Sequence, residues 1–161
     1  MSFQVPSSLE SRVDELLTRY PERRSASLMV LHALQEHFGH ISRDATLWIA
    51  RKLGLAPINI HELVTFYPMF RQAPAGRNVF KVCRTLSCAM AGSHDLHAHL
   101  CGRLGLDPKD HALQTTPDGR CSVEFVECIA GCGTAPVMMC NEEFHEAVTS
   151  SRADELLGGC R

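Results

Sequence analysis

The chain has 161 residues, enough for one ordinary domain or for two small ones that support each other. Lys plus Arg number 16 against 18 Asp plus Glu, so no polyelectrolyte excess points to nucleic acid or to an anionic membrane surface. No run reaches the ~18 apolar residues of a membrane span, and residues 1–9 lack the basic and apolar regions of a signal peptide, so a soluble cytoplasmic protein with no direct membrane span is expected.

In chain order the first signals are helical. Leu9, Val13, Leu16, Leu17 and Tyr20 share one face after Ser7-Ser8, and Pro21 stops the run. Leu28, Leu31, Leu34 and Phe38 form a second stripe, closed where Gly39 suits a left-handed cap. Ser42 is placed to cap a third helix carrying Leu47, Ala50 and Leu53, with Gly54 at its end. Asn59 with Glu62 three residues later reads as a capping box opening a short helix through Leu63, Val64 and Phe66 to Pro68. Four short helices with small connectors predict a compact bundle.

The stretch 71–77, with Pro74 and Gly76, suits a connector, and the composition changes across it. Residues 1–76 carry 8 basic and 7 acidic side chains, residues 77–161 carry 8 and 11, and all eight cysteines lie in the second part. Two domains are therefore predicted, 1–76 and 77–161. In the second, Val79 to Val82 reads as a strand delivering Cys83, and residues 93–104 as a helix with Leu96, Leu100 and Leu104 on one face, closed by Gly105. Thr116-Pro117-Asp118-Gly119 is a turn before a strand through Val123 and Phe125 that delivers Cys128. A strand over 137–140, a hairpin turn at Asn141-Glu142 and a terminal helix over 153–157 before Gly158-Gly159 complete the order β-α-β-β-β-α. The fold class is α+β, a helical bundle followed by a small sheet flanked by helices.

Eight cysteines in a reducing compartment point to metal binding or thiol chemistry rather than a disulfide scaffold. Cys83-x4-Cys88 and Cys128-x3-Cys132 are two pairs, each just beyond a predicted strand, which can converge at one end of a sheet. A [2Fe-2S] cluster needs four thiolates, and short loops leave backbone N–H groups free to point at sulfur. Ala130, Gly131 and Gly133 permit close approach of the second loop. A plant-type ferredoxin would need a third Cys soon after Cys88, a Rieske centre histidine ligands, and a thioredoxin site Cys-x-x-Cys; all three patterns are missing. Spacing alone leaves zinc open, and with it a zinc-stabilised interaction module without redox activity.

The segments Val82-Cys83-Arg84-Thr85-Leu86-Ser87-Cys88 with Gly92-Ser93, and 127–138 with Cys128-Ile129-Ala130-Gly131-Cys132, resemble the thioredoxin-like [2Fe-2S] ferredoxin family, that of the E subunit of bacterial NADH:quinone oxidoreductase (complex I). Thr65-Phe66-Tyr67-Pro68 and Thr116-Pro117-Asp118-Gly119-Arg120 match it too, and the resemblance runs from Pro21 to Leu157. It implies a helical N-terminal domain, a thioredoxin-like C-terminal domain, and a [2Fe-2S] cluster on Cys83, Cys88, Cys128 and Cys132; the confinement of every cysteine to the second part leaves the helical half as the expected partner-docking element. It also implies membership of an NADH dehydrogenase complex in the peripheral arm of a membrane-associated assembly. FMN and NADH then belong to a flavin/NADH-binding partner subunit, beside further iron–sulfur subunits. NAD-reducing hydrogenases and NAD-dependent formate dehydrogenases use similar small diaphorase subunits. One departure is that the family loop reads Cys-Leu-Gly-Ala-Cys, whereas Ala130-Gly131 stand here in the opposite order. Both are small, so ligation is expected to survive.

No Gly-x-Gly-x-x-Gly or Walker loop is present, so hydride chemistry is expected on another chain, with no complete active site here. Cys101, Cys121 and Cys140 fall where small apolar residues pack, and Cys160 is expected to be an exposed thiol. His94, His97 and His99 are assigned to a solvated helix face. Thr65 to Pro68 serves either as core and helix stop or as an intersubunit contact.

Overall fold

A computed structural model describes residues 3–160, and the chain divides into two compact units between Pro74 and Ala75. Gly76, assigned from sequence to the first domain, lies with the second: its N–H donates to Ser122 Oγ at 2.7 Å, and a Cβ there would stand 2.7 Å from the Cys121 carbonyl carbon.

In the first unit, helix α1 spans Ser7–Thr18, a 3-10 turn Arg23–Ala26, α2 Ser27–Phe38, α3 Arg43–Leu53 and α4 Pro57–Phe66. Ser42 caps α3 as expected, its side chain accepting from Ala45 N at 3.1 Å, and Gly39 and Gly54 end α2 and α3 in left-handed geometry. Helix α4 starts at Pro57, not at an Asn59 capping box: proline at the first helical position has no N–H to satisfy and a φ already suited to the helix. On α3 the buried face runs through Ala45, Ile49, Ala50 and Leu53, with Leu47 only half-buried. Val13, Val30, Leu31, Leu34, Ile49 and Ile60 are sealed from solvent and form the centre of this core.

The second unit is a five-stranded sheet in the order β2-β3-β1-β4-β5, with β1 at Asn78–Cys83, β2 at Gln114–Thr115, β3 at Cys121–Val126, β4 at Met138–Cys140 and β5 at Glu143–His145. Among the described residues only β1 and β3 pair in parallel, Asn78 opposite Cys121 and Cys83 opposite Val126. Such a pair needs a long crossover, which α5 at Leu86–Met90 and α6 at Ser93–Leu104 provide. The short α5 and β2, five and two residues long, carry no periodicity in the sequence. Helix α7, Ser150–Gly159, begins earlier than expected because Thr149 caps it, accepting from Arg152 N at 3.2 Å, and it runs through Gly158 and Gly159. Phe80, Val82, Leu100, Val123 and Met138 form the centre of the core. Fully burying one such side chain contributes about 1.5–3 kcal/mol.

Two turns set the ends of the sheet. Gly119 N–H donates to Thr116 O at 2.8 Å, and Asp118 Oδ1 accepts from Thr116 Oγ1 and Arg120 N, which fixes the entry to β3. Asn141, at φ 55°, joins β4 to β5 while its N–H and its side-chain oxygen both bond the backbone of Val79.

Candidate metal centre

The parallel pairing of β1 and β3 decides where the chemistry lies. Both strands finish at the same sheet edge, so the loops that follow Cys83 and Val126 leave side by side. Cys83 N–H donates to Val137 O at 3.2 Å and Arg84 N–H to Val126 O at 3.0 Å, which ties the start of the first loop to the strand ends around it. The one-turn helix α5 then carries Cys88 inward, and Cys83, Cys88 and Val137 form a small buried cluster. In the second loop Cys128 and Cys132 are exposed, their sulfurs 3.6 Å apart, with a 3-10 turn at Cys132–Thr134.

The four thiols interact as one group. The Cys83 sulfur acts on those of Cys88, Cys128 and Cys132, and the Cys88 sulfur feels Cys132. Burial opposes ionisation of Cys83, yet the Thr85 hydroxyl at 3.3 Å and the N–H groups of Thr85 and Ile129 outweigh it and hold this thiol below its ordinary value. Cys128 is lowered chiefly by the Ala130 N–H, 3.4 Å from its sulfur, and by Cys132. Cys88 is pushed up by burial, against a bond from the Val137 N–H, and Cys83 adds to the rise. Cys132 is pushed up by Cys128, with Ser87 opposing. Thiols this close oppose being ionised together, a repulsion that a positively charged metal core relieves.

The second loop has little room. A Cβ on Gly131 would stand 2.7 Å from Val137 Cγ1 and 2.8 Å from Phe144 Cζ, so a side chain there forces both neighbours to shift. The reversed order Ala130-Gly131 has a visible consequence: Ala130 takes the left-handed φ of 65°, while Gly131 has φ −109°. Thr134 anchors the loop from behind, donating to Glu146 Oε1 at 2.6 Å and accepting from Ala147 N at 2.8 Å. Four thiols on two converging loops, with the Ala130 N–H 3.4 Å from the Cys128 sulfur, are the donor types a four-thiolate iron–sulfur group uses, although among the described residues no three such side chains close on a single metal-ion position.

A family model described as thioredoxin-like [2Fe-2S] ferredoxin matches residues 13–161. The chain belongs to that family. It is 37% identical over 152 residues to NADH-quinone oxidoreductase subunit 2 of Thermus thermophilus, covering 92% of this chain and 82% of that protein. To the E 2 subunit of the NADH-quinone oxidoreductase of Rhizobium meliloti (strain 1021) it is 34% identical over 154 residues, 96% of this chain and 89% of that one. Among solved structures it is similar to a chain of the NAD+-reducing [NiFe]-hydrogenase in the air-oxidized state, at TM-score 0.65 and 25% identity over 80% of this chain. The match spans 22% of the hydrogenase chain. The α+β architecture of this family member is accordingly thioredoxin-like in its second unit.

Other sequence assignments need correction. His97 is not on a solvated face: it is 1% exposed and stacks on Phe125 with centroids 4.0 Å apart, because α6 packs this side against β3. His94 is exposed, and His99 bonds Asp154 at 3.0 Å. Cys160 is half-buried beside Cys121 and Cys140 rather than free in solvent. Of the Thr65 to Pro68 motif, Phe66 is 77% exposed, so it is not core. Sequence reasoning also missed Thr85 as a partner of Cys83 and the ion pair between Arg84 and Glu127, although each of these residues stands within two positions of Cys83 or Cys128.

Proposed function

We propose that this chain is an electron-transfer subunit holding one [2Fe-2S] cluster on Cys83, Cys88, Cys128 and Cys132, and that it exchanges single electrons with a flavin on a partner NADH-binding subunit. The observation that carries the reading is the convergence of the two cysteine loops at the common end of β1 and β3. When bound, the cluster supplies reversible one-electron transfer. The residues of the chain do the rest. The N–H groups of Thr85, Ile129, Ala130 and Val137 support negative charge on sulfur. Leu86 and Met90, 75% and 81% exposed, give the first loop an apolar rim of the kind a partner covers. The relatives named as NADH-quinone oxidoreductase subunits support complex I as the assembly, with this chain in its cytoplasmic peripheral arm beside further iron–sulfur subunits. The likeness to a hydrogenase chain supports the related diaphorase role, and the identity of co-purifying subunits decides between the two. Among the described residues no helix is long and apolar enough to cross a membrane.

Replacing Cys83, Cys88, Cys128 or Cys132 with Ala is expected to abolish or badly weaken the visible absorption and the electron paramagnetic resonance signal of the reduced protein, whereas Cys101→Ala keeps both. An intact cluster in Cys128→Ala would overturn the ligand set. A colourless protein loaded with zinc would favour an interaction module instead.

A further inference from the structure

Three more sulfurs meet at the opposite end of the sheet. Cys121 opens β3 opposite Asn78, and Cys140 closes β4 opposite Phe80. Asn78 and Phe80 are two apart on β1, so both cysteines project from the same sheet face. Cys160, just past α7, packs against the core cluster that includes Cys121, and its thiol interacts with those of Cys121 and Cys140. Cys140 and Cys160 also line one surface cavity of about 320 Å³, with Asn78, Asn141, Glu155 and Leu156, whereas Cys121 is buried.

We propose that Cys140 and Cys160 are an oxidation site, joined by a disulfide that staples the end of α7 to the end of β4 when a small-molecule disulfide such as glutathione disulfide enters the cavity. One protein thiolate attacks the oxidant, whose S–S bond breaks to release one thiol and leave a mixed disulfide. The second protein thiol loses its proton and attacks that mixed disulfide, releasing the second thiol. Two protein thiols and one disulfide thus become one protein disulfide and two small thiols, with both electrons and both protons passed to the oxidant. In the reduced state Cys160 Sγ donates to Leu156 O at 3.3 Å, a bond it gives up when the disulfide forms. Burial, with Cys121 and Cys140 close by, pushes the Cys160 thiol up to about 12, and burial with Glu143 raises Cys140. A dithiol that gains nothing from ionising forms its disulfide slowly and gives it up reluctantly, the opposite of a catalytic redox pair.

The segment enclosed by the staple is the one that holds the second cysteine loop. It contains Phe144, which faces Gly131, and Glu146 and Ala147, which bond Thr134. Closing it therefore restrains the loop of Cys128 and Cys132, a consequence that rests on reading those two as ligands.

The test uses the full cluster-loaded chain, incubated with glutathione disulfide and mapped by mass spectrometry, beside Cys160→Ser. A linked Cys140–Cys160 peptide, absent from the variant, is the expected result. A Cys121–Cys160 link, Cys160 capped by glutathione, or no linked peptide overturns the proposal. In the same samples an iron chelator is expected to bleach the oxidised wild type several-fold more slowly than the reduced one, with no such change in Cys160→Ser. Equal rates before and after oxidation overturn the restraint on the loop. The peptide map does not depend on iron, so a failed ligand assignment, seen as an intact cluster in Cys128→Ala, is distinguished from a failed staple.

Discussion

Arg84 and Glu127, one residue after Cys83 and one before Cys128, form an ion pair across the ends of β1 and β3, with Arg84 Nε 2.9 Å from Glu127 Oε1. Both side chains are well exposed, so the pair adds little to stability. Its importance is the placement of one positive and one negative charge beside the four-thiol site. Adding an electron to the site adds negative charge, which a cation favours and an anion opposes. Arg84→Gln is therefore expected to lower the reduction potential and Glu127→Gln to raise it, each by roughly 1 kcal/mol or a few tens of millivolts. Potentiometric titration reads both, and shifts of the same sign in the two variants would contradict the electrostatic account.

The neighbours Ala130 and Gly131 are expected to respond oppositely to exchange between glycine and alanine. Gly131→Ala drives a methyl into Val137 and Phe144, an overpacking that costs about 1–3 kcal/mol and loosens the loop. Ala130→Gly relieves a left-handed conformation costing roughly 1–2 kcal/mol for an L residue, offset in part by glycine's greater freedom when unfolded. Urea midpoints of the two cluster-loaded variants measure this, with Gly131→Ala lower than wild type and Ala130→Gly equal or higher.

Burial, and then the charges of His111 and His94, hold the His97 imidazole below its ordinary range, against an opposing pull from Asp110. The unfolded chain consequently takes up the proton more readily than the folded one. His97 favours folding fully above its unfolded pKa of ~6.5, and that contribution is lost as pH falls from there through the lower folded value. The urea midpoint is expected to drop on acidification below neutral pH, and less steeply in His97→Leu. An identical slope in the variant would assign the acid sensitivity to other groups.

Residues 75–161 contain all eight cysteines, the whole sheet and its own core cluster. Expressed alone they are expected to show the [2Fe-2S] resonance on reduction but to fail to co-purify with the flavin-binding subunit. The helical unit then serves as the docking element, and a bundle of its size is only marginally stable without a partner. Normal assembly of the fragment would move docking to the cysteine-bearing unit.

What was legible in the sequence is what short-range chemistry controls. Ser42 caps its helix because its oxygen meets the Ala45 N–H three residues on, and Gly39, Gly54 and Gly105 end helices because left-handed backbone is easy only for glycine. The cysteine pairs stand out because each spans a single loop. The five-residue α5 gave no periodicity to read, since it is barely one turn long. Whatever depends on which strands become neighbours was decided by the tertiary structure. The order β2-β3-β1-β4-β5 brings the two cysteine loops to one end and Cys121, Cys140 and Cys160 together at the other, from positions up to 49 residues apart in the chain. His97 reads as a surface histidine on its own helix, and only the arrival of Phe125 from β3 makes it a core residue, because burial belongs to pairs of elements and not to one stretch of chain.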